Sequence, residues 1–156
     1  HDDQKLFEML ILEGFQAGLS WITILKKREA FRRAFDRFDP AVVAGYGAEK
    51  LETLMSDPGI VRNRRKIEAA VTNAAVFLEI QKEFGSFDRY LWGFTGGEII
   101  LNTDDQVRAS SELSDRISAD LKRRGMKFVG TVIIYSFLQA VGVVNDHERS
   151  CWCRSG

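Results

Sequence analysis

Apolar residues recur every three or four positions along most of the 156-residue chain, which is the spacing of one face of an α-helix. This periodicity predicts eight helices. They cover residues 3–14, 18–36, 40–45, 48–56, 61–83, 86–92, 113–124 and 129–143. Residues 95–112 have no strong pattern and are predicted to form one surface loop. Since neither an internal repeat nor a domain linker stands out, we predict a single all-α domain over residues 1–156.

Two apolar stripes assign helix faces to the predicted core. The first consists of Ile60, Ile67, Ala70, Val71, Ala74, Phe77 and Leu78. The second consists of Phe128, Val132, Tyr135, Leu138, Gln139 and Val143. Ser111 and Ser114 are candidate N-caps for the helix that ends at Gly125, because serine before a helix accepts from its first N–H groups.

Composition and charge narrow the class of protein. Hydrophobic residues make up 45% and charged residues 28%, as in a folded globular domain, and no apolar run approaches the roughly 20 residues that cross a bilayer. A net charge of zero argues against a diffuse polyanion-binding surface, so any nucleic-acid contact must use local clusters. Cys151 and Cys153 are too close in sequence for a disulfide between them to stabilise the fold. This favours a reducing compartment, the cytoplasm. Because the chain begins at His1 rather than Met, we expect part of the protein to lie upstream.

The segment LEGFQAGLSW, residues 12–21, places a carboxylate on the face of a helix that should be apolar. At 100° per residue from Leu6, Glu13 falls between Met9 and Leu10 in the middle of the apolar face, whereas Glu8 lies on the opposite side. Buried carboxylates are often structural and accept hydrogen bonds from nearby N–H groups. The alternative is that this one receives a ligand.

The residues that follow favour the ligand. Gly14 and Gly18 flank a short bend that could approach a ligand closely, and Gln16 offers both donors and acceptors. Trp21 could present a flat ring. A carboxylate, an amide and an indole around a glycine-rich bend suit a planar nitrogenous base, especially a cationic one.

The segment LMSDPGIVRNRRKI, residues 54–67, predicts a helix, a tight turn and a second helix. Gly59 is expected to take a positive φ in the turn, and the next helix would then expose N–H groups that bind phosphate. Five polar residues, four of them cationic, follow at once: Arg62, Asn63, Arg64, Arg65 and Lys66. Cations are normally unfavourable at a helix N-terminus, so a bound polyanion would explain them. A solvated basic turn is the alternative, and the local sequence does not decide between them.

Two further polar segments carry weaker signals. In KRRGMKFVG, residues 122–130, the cations end a helix, where they suit its dipole and indicate capping rather than binding. In the C-terminal NDHERSCWC, His147 and Cys151 are four residues apart and could supply two of the four ligands of a zinc ion. Half a site is not enough by itself to predict a metal.

Three segments together resemble one family. LFEMLILEGFQAGLSWITILKKRE, LMSDPGIVRNRRKI and KFVGTVIIYSFLQAVGVVNDH are similar to bacterial 3-methyladenine DNA glycosylase I, and the resemblance runs from about Leu6 to Cys151. It implies an all-α helix-hairpin-helix enzyme of base excision repair, which hydrolyses the glycosidic bond of 3-methyladenine in alkylated double-stranded DNA. We expect a monomer that makes no membrane contact.

The resemblance also implies roles for single residues. Glu13 matches the base-recognising carboxylate and is the predicted catalytic residue; Trp21 matches the stacking residue, and Gln16 is expected to help bind the base. The predicted DNA contacts are Leu19, as a wedge near the flipped nucleotide, and Pro58, Gly59, Ile60, Arg62, Arg64 and Lys66 of the hairpin. His147 and Cys151 match two of four ligands of a structural zinc.

Two departures qualify these expectations. The family's other two zinc ligands and part of its base pocket come from a segment that precedes this one, so we expect zinc to be absent or poorly held in this chain. We also expect loss of the metal to loosen the termini rather than unfold the core. Helix-hairpin-helix glycosylases usually carry an Asp after the second helix, but residues 67–80 contain none and Glu79 is too late. The family that this chain resembles shares that absence.

Two other functions remain possible at this point. A non-catalytic helix-hairpin-helix module that recognises lesions would need the basic hairpin but not Glu13 near Trp21. A zinc-stabilised helical interaction protein would need His147 and Cys151 but not the hairpin. Release of free base from methylated DNA separates these alternatives from the glycosylase.

Overall fold

The computed structural model describes residues 2–16, 20–97, 100–101 and 112–145. Within these ranges the chain forms eight α-helices, which confirms the all-α prediction. They are α1 (Asp3–Gln16), α2 (Trp21–Ala34), α3 (Pro40–Ala44), α4 (Ala48–Met55), α5 (Arg64–Phe84), α6 (Phe87–Gly93), α7 (Glu112–Arg123) and α8 (Thr131–Ala140). No helix in these ranges is both long and apolar enough to cross a membrane.

Helix α1 lies at the centre of the fold. It packs against α2, α5, α6 and α8, so nearly its whole circumference is covered. Both sides of the helix are therefore buried, including the side that carries Glu8. The helical wheel separated Glu8 from Glu13 correctly but could not show that α2 covers the far side.

Aromatic rings connect the helices of the core. Phe15 of α1 lies 4.9 Å from Phe31 of α2, measured between ring centroids. Phe77 of α5 lies 5.1 Å from Phe7 of α1 and stacks at 4.4 Å on Phe87 of α6. Offset and edge-to-face pairs of this kind add about 0.5–1.5 kcal/mol each beyond the apolar area they bury. They hold α1 at a fixed position relative to its neighbours.

Helix α2 is shorter than predicted at both ends. Ser20 caps its first turn by accepting from the N–H of Thr23 at 3.2 Å, so the helix begins at Trp21. At its other end Asp36, Arg37 and Phe38 form a 3₁₀ turn with positive φ values of 51°, 58° and 58°. Left-handed backbone is costly for residues other than glycine. The apolar period of the sequence does not report handedness, which is why the prediction ran through to residue 36.

The second predicted stripe is partly wrong. In α8 the side chains of Val132 and Gln139 are exposed, and the helix ends at Ala140 rather than at residue 143. The buried residues of α8 are instead Ile134, Tyr135, Phe137 and Leu138. The strands β1 (Ile100–Leu101) and β2 (Val144–Asn145) pair in parallel, so part of the predicted 95–112 loop is a short strand.

Of the two predicted serine caps of α7, Ser114 is wrong and Ser111 is not tested. Helix α7 already begins at Glu112, so Ser114 lies inside the helix. Its side chain is buried, and its hydroxyl shares a 2.7 Å hydrogen bond with the hydroxyl of Thr131. Ser114 therefore joins α7 to α8, and Ser111 lies outside the described residues.

The connection between α4 and α5, residues 56–63, is named here the α4–α5 turn. Asn63 caps α5 by accepting from the N–H of Lys66 at 3.2 Å, so the helix begins at Arg64 rather than at residue 61. Gly59 does not have the positive φ that was expected. A Cβ at Gly59 would lie 2.9 Å from the Cβ of Ala30, so glycine is needed because the turn packs directly on α2.

Candidate functional site

An open cleft forms between the C-terminal half of α1 and helix α8. Glu13 and Gln16 line it from α1, and Ser136 and Ala140 line it from α8. The structure thus brings together two of the predicted base-binding residues, Glu13 and Gln16. Ser136 was missed, because a polar residue beside a buried helical stripe has no distinctive pattern in one sequence. The only signal was its place in the helix that follows FVGT.

The Glu13 carboxylate is buried, and the described parts of the chain bring no counter-ion to it. The residue is only 4% exposed, and burial raises the pKa of its carboxyl from 4.5 to about 7. Among the described residues, no cation or hydrogen-bond donor contacts this side chain. At neutral pH such a group is partly protonated, and a cation that enters the cleft would favour its ionised form.

Glu8 shows what a structural carboxylate looks like on the same helix. It is equally buried at 4% exposed, but Arg28 donates to it at 3.0 Å and Arg32 makes two hydrogen bonds with it. Burial by itself would raise the pKa of Glu8, yet the hydrogen bonds from the two guanidinium groups outweigh it and leave the pKa below its usual value. The described residues supply no such partner to Glu13, so they give no structural explanation of its burial.

The loop between α7 and α8 also packs against α1, next to Glu13. A Cβ at Gly14 would lie 3.6 Å from the Cβ of Phe128, whose φ is +57°. The side-chain amide of Asn73 holds this loop: it donates to the Lys127 carbonyl at 2.9 Å and accepts from the Lys127 N–H at 2.8 Å. Left-handed backbone in a residue other than glycine is frequent at functional sites. Neither Asn73 nor Phe128 was predicted as a site residue.

Lys66, a predicted DNA contact, points towards α1. Its ammonium donates to the carbonyl of Phe15 at 3.0 Å, and burial lowers its pKa. A contact between Lys66 and a DNA phosphate would compete with this hydrogen bond.

The other cations after the turn differ in how far their charge is already neutralised. Arg64 is paired with Glu52 and lies 3.8 Å from Glu68. Arg62 and Arg65 are exposed, and the described residues contain no ion pair for either. Arg62 and Arg65 therefore offer the charge that is most available to a polyanion.

The backbone of the α4–α5 turn is less free than was expected. The N–H of Gly59 donates to the side chain of Asp57 at 2.8 Å, and the N–H of Ile60 donates to the Asp57 carbonyl at 3.5 Å. The Ile60 side chain is buried in the core, and Pro58 has no N–H. Of the predicted turn residues, Arg62 keeps an N–H without an acceptor among the described residues.

Several predicted site residues lie outside what the structure describes. Leu19 falls within residues 17–19, and His147 and Cys151 fall within residues 146–156. Trp21 begins α2, but its side chain is not described. Within the described ranges there is no group of three or more His, Cys, Asp or Glu side chains that could hold a metal ion. The stacking, wedge and zinc roles stay predictions.

Comparison with known proteins adds independent evidence. The family model described as methyladenine glycosylase matches residues 1–155. DNA-3-methyladenine glycosylase 1 of Escherichia coli (strain K12) is 47% identical and is matched over 99% of this chain and 84% of its own length. The structure of 3-methyladenine DNA glycosylase I (TAG) from Staphylococcus aureus superposes with a TM-score of 0.94 at 38% identity, covering 99% of this chain and 84% of that one. A TAG variant in complex with 3-methyladenine gives 0.95 at 38% identity, covering 99% and 85%.

Proposed function

The chain belongs to the methyladenine glycosylase family, and on that premise we propose how it removes 3-methyladenine from alkylated DNA during base excision repair. The Glu13 cleft receives the damaged base after it has left the duplex. The observation that carries this proposal is the burial of Glu13 beside an opening towards solvent, with no cation from the described part of the chain in contact with it. A cationic base supplies the missing positive charge.

The proposal explains how the damaged base is distinguished from normal adenine. Methylation at N3 makes the base cationic while it is still attached to the sugar, whereas adenine is neutral. In a site of low dielectric, an ionised Glu13 attracts the cation far more strongly than in water and accepts a hydrogen bond from its exocyclic amine. Gln16 and Ser136 add polar groups at the same cleft, and Trp21 is predicted to stack on the base, which contributes roughly 1–3 kcal/mol.

Binding of the flipped base also accelerates the reaction. Extrusion from the stack costs a few kcal/mol, so the flipped state is a minor population until the cleft stabilises it. Each ~1.4 kcal/mol that Glu13 contributes to the flipped state and the transition state, but not to the stacked base, raises the rate about tenfold. The carboxylate thus acts on the step from stacked duplex to transition state.

Cleavage of the glycosidic bond needs little help from a general base of the protein. The bond between N9 and C1′ breaks, and its electron pair enters the purine, which departs as neutral 3-methyladenine. The sugar becomes an oxocarbenium ion, which water attacks at C1′, and a proton is released to solvent. Residues 67–80 of α5 contain no Asp, and the three glutamates of this helix are exposed and do not line the cleft, so the proposed mechanism uses no carboxylate general base from α5: Glu68, Glu79 and Glu83.

Release of free base tests the proposal directly. Duplex DNA treated with a methylating agent is incubated with the protein, and the released bases are separated and identified. We expect 3-methyladenine to appear in solution. Binding to the methylated duplex without any release would instead support the non-catalytic lesion-binding module.

We further propose that the α4–α5 turn holds the DNA backbone as a helix-hairpin-helix element. The α5 N-terminus supplies the outward N–H groups of Arg64 and Arg65, which have no intrahelical acceptors. The exposed cations of Arg62 and Arg65 add attraction that is independent of sequence.

The salt dependence of DNA binding should identify these cations. Each neutralised phosphate contributes about −0.9 to the slope of log K against log salt on duplex DNA. We expect the double substitution Arg62→Gln and Arg65→Gln to reduce the steepness of that slope by about 2, as measured by fluorescence anisotropy with a labelled duplex. Arg64→Gln is the matched control and should change the slope less, since Glu52 and Glu68 already offset its charge. An unchanged slope in the double variant would move the DNA-binding face elsewhere.

We also propose that His147 and Cys151 are two of the four ligands of a structural zinc, which would be held firmly only where two further ligands join them. Imidazole nitrogen and thiolate sulfur are typical zinc donors, but these two residues are two short of the usual four. We expect elemental analysis of the purified 156-residue chain to give much less than one zinc per molecule. A stoichiometric zinc would mean that Cys153, His1 or a carboxylate completes the site and that the implied ligand set is wrong.

A further inference from the structure

We propose that Lys66 is a positioning residue, which fixes the end of α1 that carries the base-binding side chains, and that it does not contact DNA phosphate. The inference rests on the proposed function, because it assigns a role within that reaction. Lys66 connects the two parts of the site, since it lies three residues after the α4–α5 turn and its ammonium reaches the last turn of α1.

The contact at the end of α1 has a specific physical effect. The last four carbonyls of an α-helix have no intrahelical donors. Lys66 donates to one of them, that of Phe15, at 3.0 Å and places a positive charge at the negative end of the helix dipole. Glu13 and Gln16 lie on either side of Phe15 in the same turn. Loss of the contact would leave this turn free to fray, and with it the carboxylate and the amide of the cleft.

Helix α5 supports the base cleft at a second point. Asn73 lies seven residues after Lys66, two helical turns further along the same face. It holds the backbone of Lys127, beside Phe128, which packs against Gly14 of α1. Lys66 and Asn73 therefore hold the same half of α1 from one rigid helix, one directly and the other through the α7–α8 loop.

The surroundings of Lys66 oppose a role in phosphate binding. Together with Gly14, Phe15, Asn73 and Phe128 it lines a small pocket between α1 and α5. Its neighbour Arg65, by contrast, is exposed. A phosphate that drew the ammonium out of this pocket would remove the hydrogen bond that Lys66 donates to the Phe15 carbonyl. The adjacent cations Arg65 and Lys66 thus have different roles: Arg65 is available to DNA phosphate, and Lys66 positions the end of α1.

Two readouts separate these tasks. The first is the single-turnover rate of 3-methyladenine release at saturating DNA, and the second is the salt slope of DNA affinity. We expect Lys66→Met to lower the rate at least tenfold and to leave the slope unchanged. Arg65→Met should instead make the slope shallower by about 0.9. Lys122→Met, which removes an exposed cation at the end of α7, controls for the loss of one positive charge and should change neither readout.

A third readout needs no DNA. Calorimetric titration with free 3-methyladenine should show weaker binding by Lys66→Met than by the wild type, because the end of α1 is no longer held. Lys66→Gln keeps an N–H donor without the charge and replaces Lys66→Met if a thermal melt shows that the latter does not fold. The same direction is expected for it, with a smaller loss of rate.

The outcomes distinguish the inference from the proposed function. A shallower slope in Lys66→Met would identify Lys66 as a phosphate contact and overturn the inference. So would a wild-type release rate in that variant. If the wild-type protein itself released no base, the proposed function would fail instead, whereas the free-base titration would still report on Lys66.

Discussion

Replacing Glu13 with glutamine should lower the excision of 3-methyladenine by about 100-fold while leaving the fold intact. Glutamine keeps the size and one acceptor oxygen of the side chain but removes the charge that attracts a cationic base. Removal of a preorganised electrostatic partner in a site of low dielectric typically costs 10²–10³ in rate, and 100-fold corresponds to about 2.7 kcal/mol. Single-turnover release of 3-methyladenine from methylated duplex measures the effect.

A second carboxylate provides the matched control for this substitution. Glu79 is exposed on α5 and does not line the cleft, so Glu79→Gln should excise the base at the wild-type rate. The pH profile gives an independent check. Because the pKa of Glu13 is about 7, kcat/KM of the wild type should rise with pH through this value, and Glu13→Gln should remove that limb. Wild-type turnover by Glu13→Gln would remove Glu13 from the mechanism.

The same substitution should make the protein more stable at alkaline pH. The folded-state pKa of Glu13 is raised from 4.5 to about 7, so the folded chain resists ionising a group that the unfolded chain ionises freely. Its contribution to stability is fully present below pH 4.5 and is lost as pH rises to 7. At pH 8 the loss amounts to about 3 kcal/mol, since each pKa unit is worth 1.36 kcal/mol. Glu13→Gln should recover roughly this amount at pH 8 and almost none of it at pH 4.

Glu8 is the internal control for this stability prediction. Its folded-state pKa is lowered by Arg32 and Arg28, so its contribution is present above the unfolded pKa and is lost as pH falls through the folded value. Glu8→Gln should therefore destabilise the protein at pH 8, by roughly 1–3 kcal/mol for the lost charged hydrogen bonds. Urea unfolding at pH 4 and pH 8 measures the free energy of unfolding of the wild type, Glu13→Gln and Glu8→Gln. Equal behaviour of the two variants would show that Glu13 has an unrecognised cationic partner.

Opposite responses of the two carboxylates would also have a functional meaning. A group that costs stability at working pH and serves no packing role is typical of a binding or catalytic site. The cost of burying Glu13 would then be offset only when the cationic base is bound.

Much of the fold follows from local sequence signals. The three-to-four residue period predicted all eight helices to within a few residues, because one buried face is enough to create that period. The structure departs from the predicted helices where the conformation depends on residues that are distant in sequence. Asp36, Arg37 and Phe38 reverse the handedness of the backbone, and Val132 lies on an exposed face of α8. Both depend on what packs nearby rather than on the period.

The candidate site divides in the same way. Glu13 and Gln16 could be predicted, since a carboxylate on an apolar face followed by a glycine-rich bend is a local pattern, and the resemblance of three segments to one family assigned it a base. Ser136 could not, because it reaches the cleft only when α8 packs on α1. The orientation of Lys66 could not be predicted either, since its hydrogen-bond acceptor is 51 residues away in sequence.

By itself, therefore, the sequence determined the fold class, the position of a buried carboxylate at residue 13 and the membership of a glycosylase family. Only the tertiary structure decided that Glu8 is neutralised by Arg28 and Arg32 while Glu13 receives no counter-ion from the residues that the structure describes. Helix periodicity is a property of neighbours within a few residues, whereas the ionisation of a buried group depends on charges from other helices. Two glutamates on one helix acquire opposite pKa shifts because α2 brings its arginines to one side of α1 and α8 brings none to the other.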